Sequence, residues 1–205
     1  GKVIFHKNVR VNSGERSLKA EKLELTIARQ EKSDELQLAG ITATGNVEFQ
    51  FEKKTATGRK LLWQNVTRFC ELEGNPARLD GSPFDMQATK LTFFQDYERL
   101  QAGGEGRLLW SPAENAREQN PGGAGDRGEK QPGGRGPLEA DRPVRIEWKG
   151  GMSYDAQKRS ARFSGGVKAV QKQNSLRCET LDVAFGRQQN ELKEVIASEK
   201  VRFEQ

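Results

Sequence analysis

Apolar residues in this chain recur at every second position, almost from one end to the other. Val3, Phe5, Val9 and Val11 start the series, and Leu23, Leu25 and Ile27, Leu36 and Leu38, Val47, Phe49 and Phe51, and Leu91 and Phe93 continue it. Val144, Ile146 and Trp148, Leu181, Val183 and Phe185, and finally Val201 and Phe203 complete it. Period two belongs to strands with one buried and one wet face, and helical periodicity is nearly absent. The one helix-start pattern, Ser111-Pro112-Ala113-Glu114, has capping-box spacing but no apolar stripe behind it, so at most one short surface helix is expected there. The chain is therefore expected to be all-β.

The alternation is organised by a repeat. Val9-x-Val11 is followed by Leu18-x-Ala20-Glu21-Lys22-Leu23-x-Leu25, and at the same offsets Val47-x-Phe49 is followed by Ala56-x-Gly58-Arg59-Lys60-Leu61-x-Trp63. Ala77-x-Leu79 leads to Met86-x-Ala88-Thr89-Lys90-Leu91-x-Phe93, and Val167-x-Ala169 to Leu176-x-Cys178-Glu179-Thr180-Leu181-x-Val183. A small residue (Ala20, Gly58, Ala88, Cys178) always stands three before the second strand's leading Leu, where the in/out phase flips. That reads as a bulge or corner that re-aims the strand. A fifth copy is split: Ala102 to Leu108 resembles Ala43 to Phe49, and Leu138-Glu139-Ala140-Asp141-Arg142 resembles Leu18 to Lys22, running one residue out of step into Val144, Ile146 and Trp148.

Between these halves lies a Gly/Pro-rich segment, 112–137, empty of large apolar side chains. It is expected to be a hairpin-loop insertion within a single domain, 1–205, because a repeat is divided across it. Turns are expected at Ser13-Gly14, Gly45-Asn46, Gly74-Asn75 and Gly165-Gly166, giving about fifteen short strands in all. A sheet that wide curls, and the repeat favours an elongated stack with the two terminal strands at its edges.

Composition narrows the function classes. Only 34% of residues are apolar and 31% charged, with 22 glycines, as befits half-buried strands. No stretch approaches the length of a membrane span, and the start lacks a signal-peptide pattern; a leader or membrane anchor would precede Gly1. The net charge of +5 is spread over polar strand faces among almost as many acids, which reads as a solvated outer face, with a phosphate-bearing ligand as the alternative. No RNA-binding aromatic signature, zinc finger or basic helix supports a nucleic-acid partner. Cys70 and Cys178 lack metal-site or C-x-x-C spacing, and whether they pair stays open.

Catalysis finds little support. His6 is the only histidine and sits on a terminal strand, a poor place for a nucleophile's base. Gly103-Gly104-Glu105-Gly106 leads into a strand and not a helix, so it is no phosphate loop. No cofactor or metal motif is present, and Asn65-Val66-Thr67 reads as a chance glycosylation match.

The recurring Ala43-Thr44-Gly45-Asn46-Val47-Glu48-Phe49, Leu18-x-Ala20-Glu21-Lys22-Leu23-x-Leu25 and Ala161-x-Phe163-Ser164-Gly165-Gly166-Val167 resemble the OstA-like domain of lipopolysaccharide transport proteins: LptA, LptC and the N-terminal part of LptD. The resemblance covers nearly the whole chain outside 112–137. It implies an elongated, twisted, partly open β-jelly roll of two facing antiparallel sheets, built here from five short repeats. It also implies a periplasmic location, free or anchored to the inner membrane, with lipid A acyl chains shielded in an apolar slot. The side chains that would line the slot are Val9, Val11, Leu18, Leu23, Leu25, Val47, Phe49, Phe51, Leu61, Trp63, Leu79, Met86, Leu91, Phe93, Ile146, Trp148, Phe163, Val167, Leu176, Leu181, Val183 and Phe185. The same residues would equally build the closed core of a structural or adhesin-like β-repeat protein that binds protein or glycan. Val3, Phe5, Val201 and Phe203 lie on the expected edge strands. There, pairing with other Lpt-type jelly-roll domains, or head-to-tail with a second copy, would extend the sheet.

Overall fold

The computed structural model describes residues 1–29, 35–81, 84–94, 98–111, 138, 142–186 and 192–204. The expected insertion at 112–137, and with it the helix-start pattern after Ser111, fall outside the described residues. Among the described residues every regular element is a strand. In order these are β1 (Lys2–Ser13), β2 (Arg16–Arg29), β3 (Leu36–Phe51), β4 (Lys54–Gln64), β5 (Phe69–Asp80), β6 (Phe84–Phe94) and β7 (Arg99–Trp110). They are followed by β8 (Val144–Trp148), β9 (Gly151–Asp155), β10 (Ser160–Gln171), β11 (Asn174–Phe185), β12 (Leu192–Ser198) and β13 (Arg202–Glu204).

All thirteen belong to one antiparallel sheet in the order β1-β2-β3-β4-β5-β6-β7-β8-β10-β11-β12; β9 pairs with β7 and β10, and β13 with β11. β8 and β9 are thus two lengths of a single row between β7 and β10. β12 and β13 share the row beside β11. Eleven rows result, and because β1 and the β12/β13 row do not pair with one another, the sheet stays open.

Each long strand is broken near its middle. The register shifts between His6 and Val9, Lys19 and Lys22, Thr44 and Val47, Thr57 and Lys60, Glu73 and Ala77, Ala88 and Lys90, and Ser164 and Val167. These breaks line up across the sheet as one continuous bend, because an extra residue in a ladder kinks its strand and flips the in/out phase. Left-handed backbone supplies the kink at Lys7 and Asn8, Gly45 and Asn46, Gly104, Gly165 and Gly166, and Glu199 and Lys200. Gly165 meets backbone most closely of these: its φ is 81°, and a Cβ there would lie 2.4 Å from the backbone nitrogen of Gly150 across the bend.

The bend divides the sheet into two limbs. Limb I holds the stretches running toward the β1/β2, β3/β4, β5/β6 and β10/β11 hairpins, with β8 and β13; limb II holds the other half of each strand, with β9 and β12. Four aromatic pairs show that the limbs face each other: Phe51 and Phe93 at 5.5 Å between ring centroids, Phe84 and Tyr154 at 5.9 Å, Trp110 and Phe185 at 6.5 Å, and Trp148 and Phe163 at 5.4 Å, each with one ring from either limb. The fold is the expected all-β jelly roll, and its two facing layers are one sheet folded along a line of bulges.

Two local expectations are corrected. Gly45-Asn46, Gly74-Asn75 and Gly165-Gly166 do not end strands; they lie inside β3, β5 and β10, at the bend. At Gly45-Asn46 and Gly165-Gly166 the positive φ serves a bulge as readily as a hairpin turn. This is why thirteen longer strands are described in place of about fifteen short ones. The split repeat is also placed differently. Val144 to Trp148 pair with Gly106 to Trp110 in limb I, before the bend, and Gly151 to Asp155 pair with Arg99 to Gly103 after it. Of the expected counterpart of Leu18 to Lys22, Leu138 to Arg142, the residues 139–141 lie outside the described residues. Ile146-x-Trp148 and Met152-x-Tyr154 take the places of Leu18-x-Ala20 and Leu23-x-Leu25, with one extra residue at Lys149-Gly150 absorbing the slip.

Candidate functional site

Strand alternation and unbroken pairing place the apolar side chains in rows that cross the whole sheet. In limb I the cross-strand partners Val11, Leu18, Phe49, Ala56, Leu79, Met86, Leu108, Ile146, Ala169, Leu176 and Phe203 run from β1 to β13. In limb II, Phe5, Leu23, Ala43, Leu61, Leu72, Leu91, Ala102, Met152, Phe163, Leu181 and Ala197 form a second row. Val3, Leu25, Ile41, Trp63, Cys70, Phe93, Leu100, Tyr154, Ala161, Val183 and Val195 form a third. No charged residue interrupts any of them. At about 4.8 Å per strand, eleven strands make each row roughly 48 Å long.

The expected slot residues sort by position. Leu18, Leu23, Leu61, Leu79, Met86, Leu91, Phe93, Ile146, Phe163, Leu176, Leu181 and Val183 are buried members of the three rows, and Val47, Val167 and Trp148 are buried along the inside of the bend. Phe51 is buried at the hairpin end of limb I, against Phe93. Val9, Val11, Leu25, Phe49, Trp63 and Phe185 are partly buried and pack against this core. Val3, Phe5 and Phe203 are exposed row ends on the edge strands. Val201 is exposed as well, but it precedes β13 in the break after Glu199 and Lys200 and joins no row.

Sequence reasoning left several interior residues out of the slot. Ala43, Ala56, Ala161 and Ala169, with Leu72, Leu100, Leu108 and Trp110, are buried as well. For the alanines the signal is register and not hydropathy, since alanine becomes recognisable as interior only once its cross-strand partners are known.

Among the described residues the interior is tightly filled. The cavity between the limbs holds about 30 Å³ and is lined by Phe84, Trp110, Met152, Tyr154, Val183 and Phe185, among others. That is room for a water or two, which so apolar a lining would keep out, and far less than an acyl chain needs. Aromatic rings close it where the limbs meet at their hairpin ends: Phe84 on Tyr154, Tyr154 on Phe185 at 6.2 Å, and Phe185 on Trp110. Outside this mouth Phe185 also borders an open cleft of about 630 Å³ with Lys158, Arg159 and Lys193.

Polar groups inside are few. The indole N–H groups of Trp110 and Trp148 are buried and have no hydrogen-bond partner among the described residues. Burial pushes the Cys70 thiol up to about 12 and also raises Tyr154, with Asp155 adding to the effect on the phenol. Both cysteines are free and buried. Such an interior can solvate hydrocarbon and offers nothing to an ion.

Residues 1–99 match the sequence family described as LptA/(LptD N-terminal domain) LPS transport protein. Among solved structures, the chain resembles LptH from Pseudomonas aeruginosa, the LptA-homologous periplasmic component of its lipopolysaccharide transport device. The TM-score is 0.52 at 9% sequence identity, covering 74% of this chain and 94% of that one. No curated protein sequence matches.

Proposed function

Starting from a chain whose residues 1–99 match the LptA/(LptD N-terminal domain) LPS transport protein family, we propose that the protein transports lipopolysaccharide, holding the acyl chains of lipid A between its two limbs. The observation that carries this reading is the set of three apolar rows running uninterrupted from one sheet edge to the other. A closed core needs no such continuity, whereas a path for a moving hydrocarbon chain does.

The chains enter by spreading the limbs at the aromatic mouth. Pairing runs along the bend and not across the interior, so opening breaks no ladder hydrogen bond. It costs a few aromatic contacts of about 0.5–1.5 kcal/mol each. Each acyl methylene taken in contributes about 0.8 kcal/mol, so a chain of ordinary length offsets the opening. Lys158, Arg159 and Lys193 stand beside Phe185 where a phosphate of the headgroup would remain outside. The protein works in the periplasm, free or anchored, in transport and not catalysis. The whole described sheet acts as one domain, with 112–137 as an insertion between neighbouring rows. The exposed row ends Val3 and Phe5 on β1, and Phe203 on β13, meet other Lpt-type jelly rolls, or a second copy head-to-tail, by strand addition.

The tightly filled interior favours one competing reading, a structural or adhesin-like β-repeat protein with a permanently filled core. Displacement of a fluorescent lipid probe by lipopolysaccharide separates the two. Saturable binding in the parent, lost when Phe84→Cys and Tyr154→Cys are joined by a disulfide and restored by reductant, is the expected result. Absence of saturable binding in the reduced protein would sink the transport reading.

A further inference from the structure

The outward faces of the same strands also form rows, and one is unlike the rest. It is the outward row of limb I nearest the bend, traceable pair by pair from β1 to β13. β1 and β2 supply Arg10 and Lys19, the centre of the sheet Arg78 and Arg107, and the last three rows Lys168, Arg177 and Arg202. The only acids are Glu48 and Glu147. Seven cations against two acids give this single row a charge of +5, equal to the formal net charge of the whole chain.

The neighbouring outward row of limb I holds one cation, Arg145, and three acids, Asp80, Asp85 and Glu204, so the basic row is not a general property of the face. Within it Lys19 pairs with Glu48 at 2.7 Å, and Arg177 lies 4.0 Å from Glu204. Arg10, Arg78, Arg107, Lys168 and Arg202 have no acid in contact among the described residues. A line of uncompensated like charges is costly to hold together at low salt, and a partner of opposite sign relieves that cost.

We propose that this row is a binding track for a linear acidic polysaccharide, whose repeating carboxylates neutralise successive cations. Three features select that partner. The track is one residue wide and about 48 Å long, the form of a chain and not of a patch. Neighbouring strands rotate by about 20–25°, so the track winds; a flexible polymer follows it, while a flat bilayer meets only part of it. The two outward rows of limb I carry no aromatic side chain, which leaves nothing for bases to stack on or for a membrane interface to receive. Five of the seven cations are arginines, whose planar fork suits carboxylate. The track lies on the outside of the limb and does not depend on what occupies the interior.

The test uses the full chain and polygalacturonate as probe, in a calorimetric or thermophoretic titration. Arg78→Gln, Arg107→Gln and Lys168→Gln together should weaken binding about tenfold or more and flatten its salt dependence. A second triple variant, Lys22→Gln, Lys60→Gln and Lys90→Gln, removes the same charge from the outward row across the bend and should weaken binding by no more than about threefold, the part owed to net charge. Equal weakening by both variants would reduce the track to net charge and overturn the proposal. So would a parent that fails to bind polygalacturonate saturably. Tighter binding of single-stranded DNA or of phosphatidylglycerol vesicles, lost in the first variant, would assign the track to another class of partner and overturn it equally.

Discussion

The bend is built in two ways, and the difference lies between the N-terminal and C-terminal parts of the sheet. In β2, β4 and β6 the inward residue at the bend is small: Ala20, Gly58 and Ala88, opposite Val9, Val47 and Ala77. In the β8/β9 row the same place is taken by Trp148, the bulkiest side chain the bend holds, and its cross-strand partner is Gly106. A Cβ on Gly106 would lie 2.4 Å from the Trp148 ring and 2.7 Å from the Gln87 backbone oxygen, so the indole and the neighbouring strand together occupy the space a side chain would need. The bend therefore does not require a small residue in every strand. In each of these four cross-strand pairs one member is small, and which member it is varies. The C-terminal solution also carries one more residue at Lys149-Gly150, and it lies beyond the part of the chain that matches the family, residues 1–99.

The largest effect should come from emptying the C-terminal bend. Trp148 is buried to 1% exposure and packs on Phe163. Trp148→Ala should cost about 3–5 kcal/mol, while Ala88→Gly at the equivalent place in β6 should cost about 1 kcal/mol. Urea unfolding of the two variants compares the bends directly, and similar losses would mean that Trp148 is a surface cover and not the filling of the bend.

Next comes the pair itself. Gly106→Val in the parent forces the indole aside and should cost about 1–3 kcal/mol. In the Trp148→Ala background the clash with the ring is gone while that with the Gln87 backbone oxygen, 2.7 Å from the added Cβ, remains, so the same change should cost less than in the parent. A double-mutant cycle reads this difference; additive costs would show that Gly106 serves its backbone and not Trp148.

These two bends also explain what the sequence disclosed. Ala20, Gly58, Ala88 and Cys178 recur at one offset, so four positions of the bend were readable as a phase flip without coordinates. Trp148 was not, because its compensating glycine is 42 positions earlier in the chain and only strand pairing joins them. The same holds for the interior rows. Leucines, valines and aromatics announce themselves by alternation, whereas Ala43, Ala56 and Ala169 become interior only through their partners. Hydropathy gives the face of a strand, and register decides what that face meets. The basic outward row escaped for the same reason: its residues are scattered from 10 to 202 and form a line only across the sheet.

A smaller effect compares the two parts of the interior through their ionisable groups, Cys70 and Tyr154, which share the third apolar row. Both are acids whose protonated form burial favours, so the unfolded chain releases each proton at a lower pH than the folded one. Stability is then fully present below the unfolded values, 9.0 for the thiol and 10.0 for the phenol, and falls as pH rises past them; for Cys70 the loss continues to about 12. Cys70→Ala should lessen the alkaline decline that begins near pH 9, leaving the share owed to Cys178, whose thiol burial also raises, and Tyr154→Phe should lessen only the part above pH 10. Denaturant midpoints across this range check the order, and a parent whose stability is level from pH 8 to 11 would contradict it.

The smallest effect isolates the polar cost of the C-terminal solution. A tryptophan brings an N–H that must find an acceptor or forfeit its hydration on burial, and the Trp148 Nε1 has none among the described residues. An unsatisfied buried donor of this kind costs about 1–3 kcal/mol. Trp148→Phe deletes the donor together with part of the ring. Removing apolar volume destabilises by a similar amount, so the two contributions oppose each other and the net change should stay within about 1 kcal/mol of the parent. The variant would retain the aromatic contact with Phe163 and the need for glycine at 106. Thermal unfolding of Trp148→Phe beside Trp148→Ala resolves the matter. A phenylalanine variant nearly as damaged as the alanine one would mean that the indole N–H has an acceptor after all, and that the N-terminal bends avoid tryptophan for want of space alone.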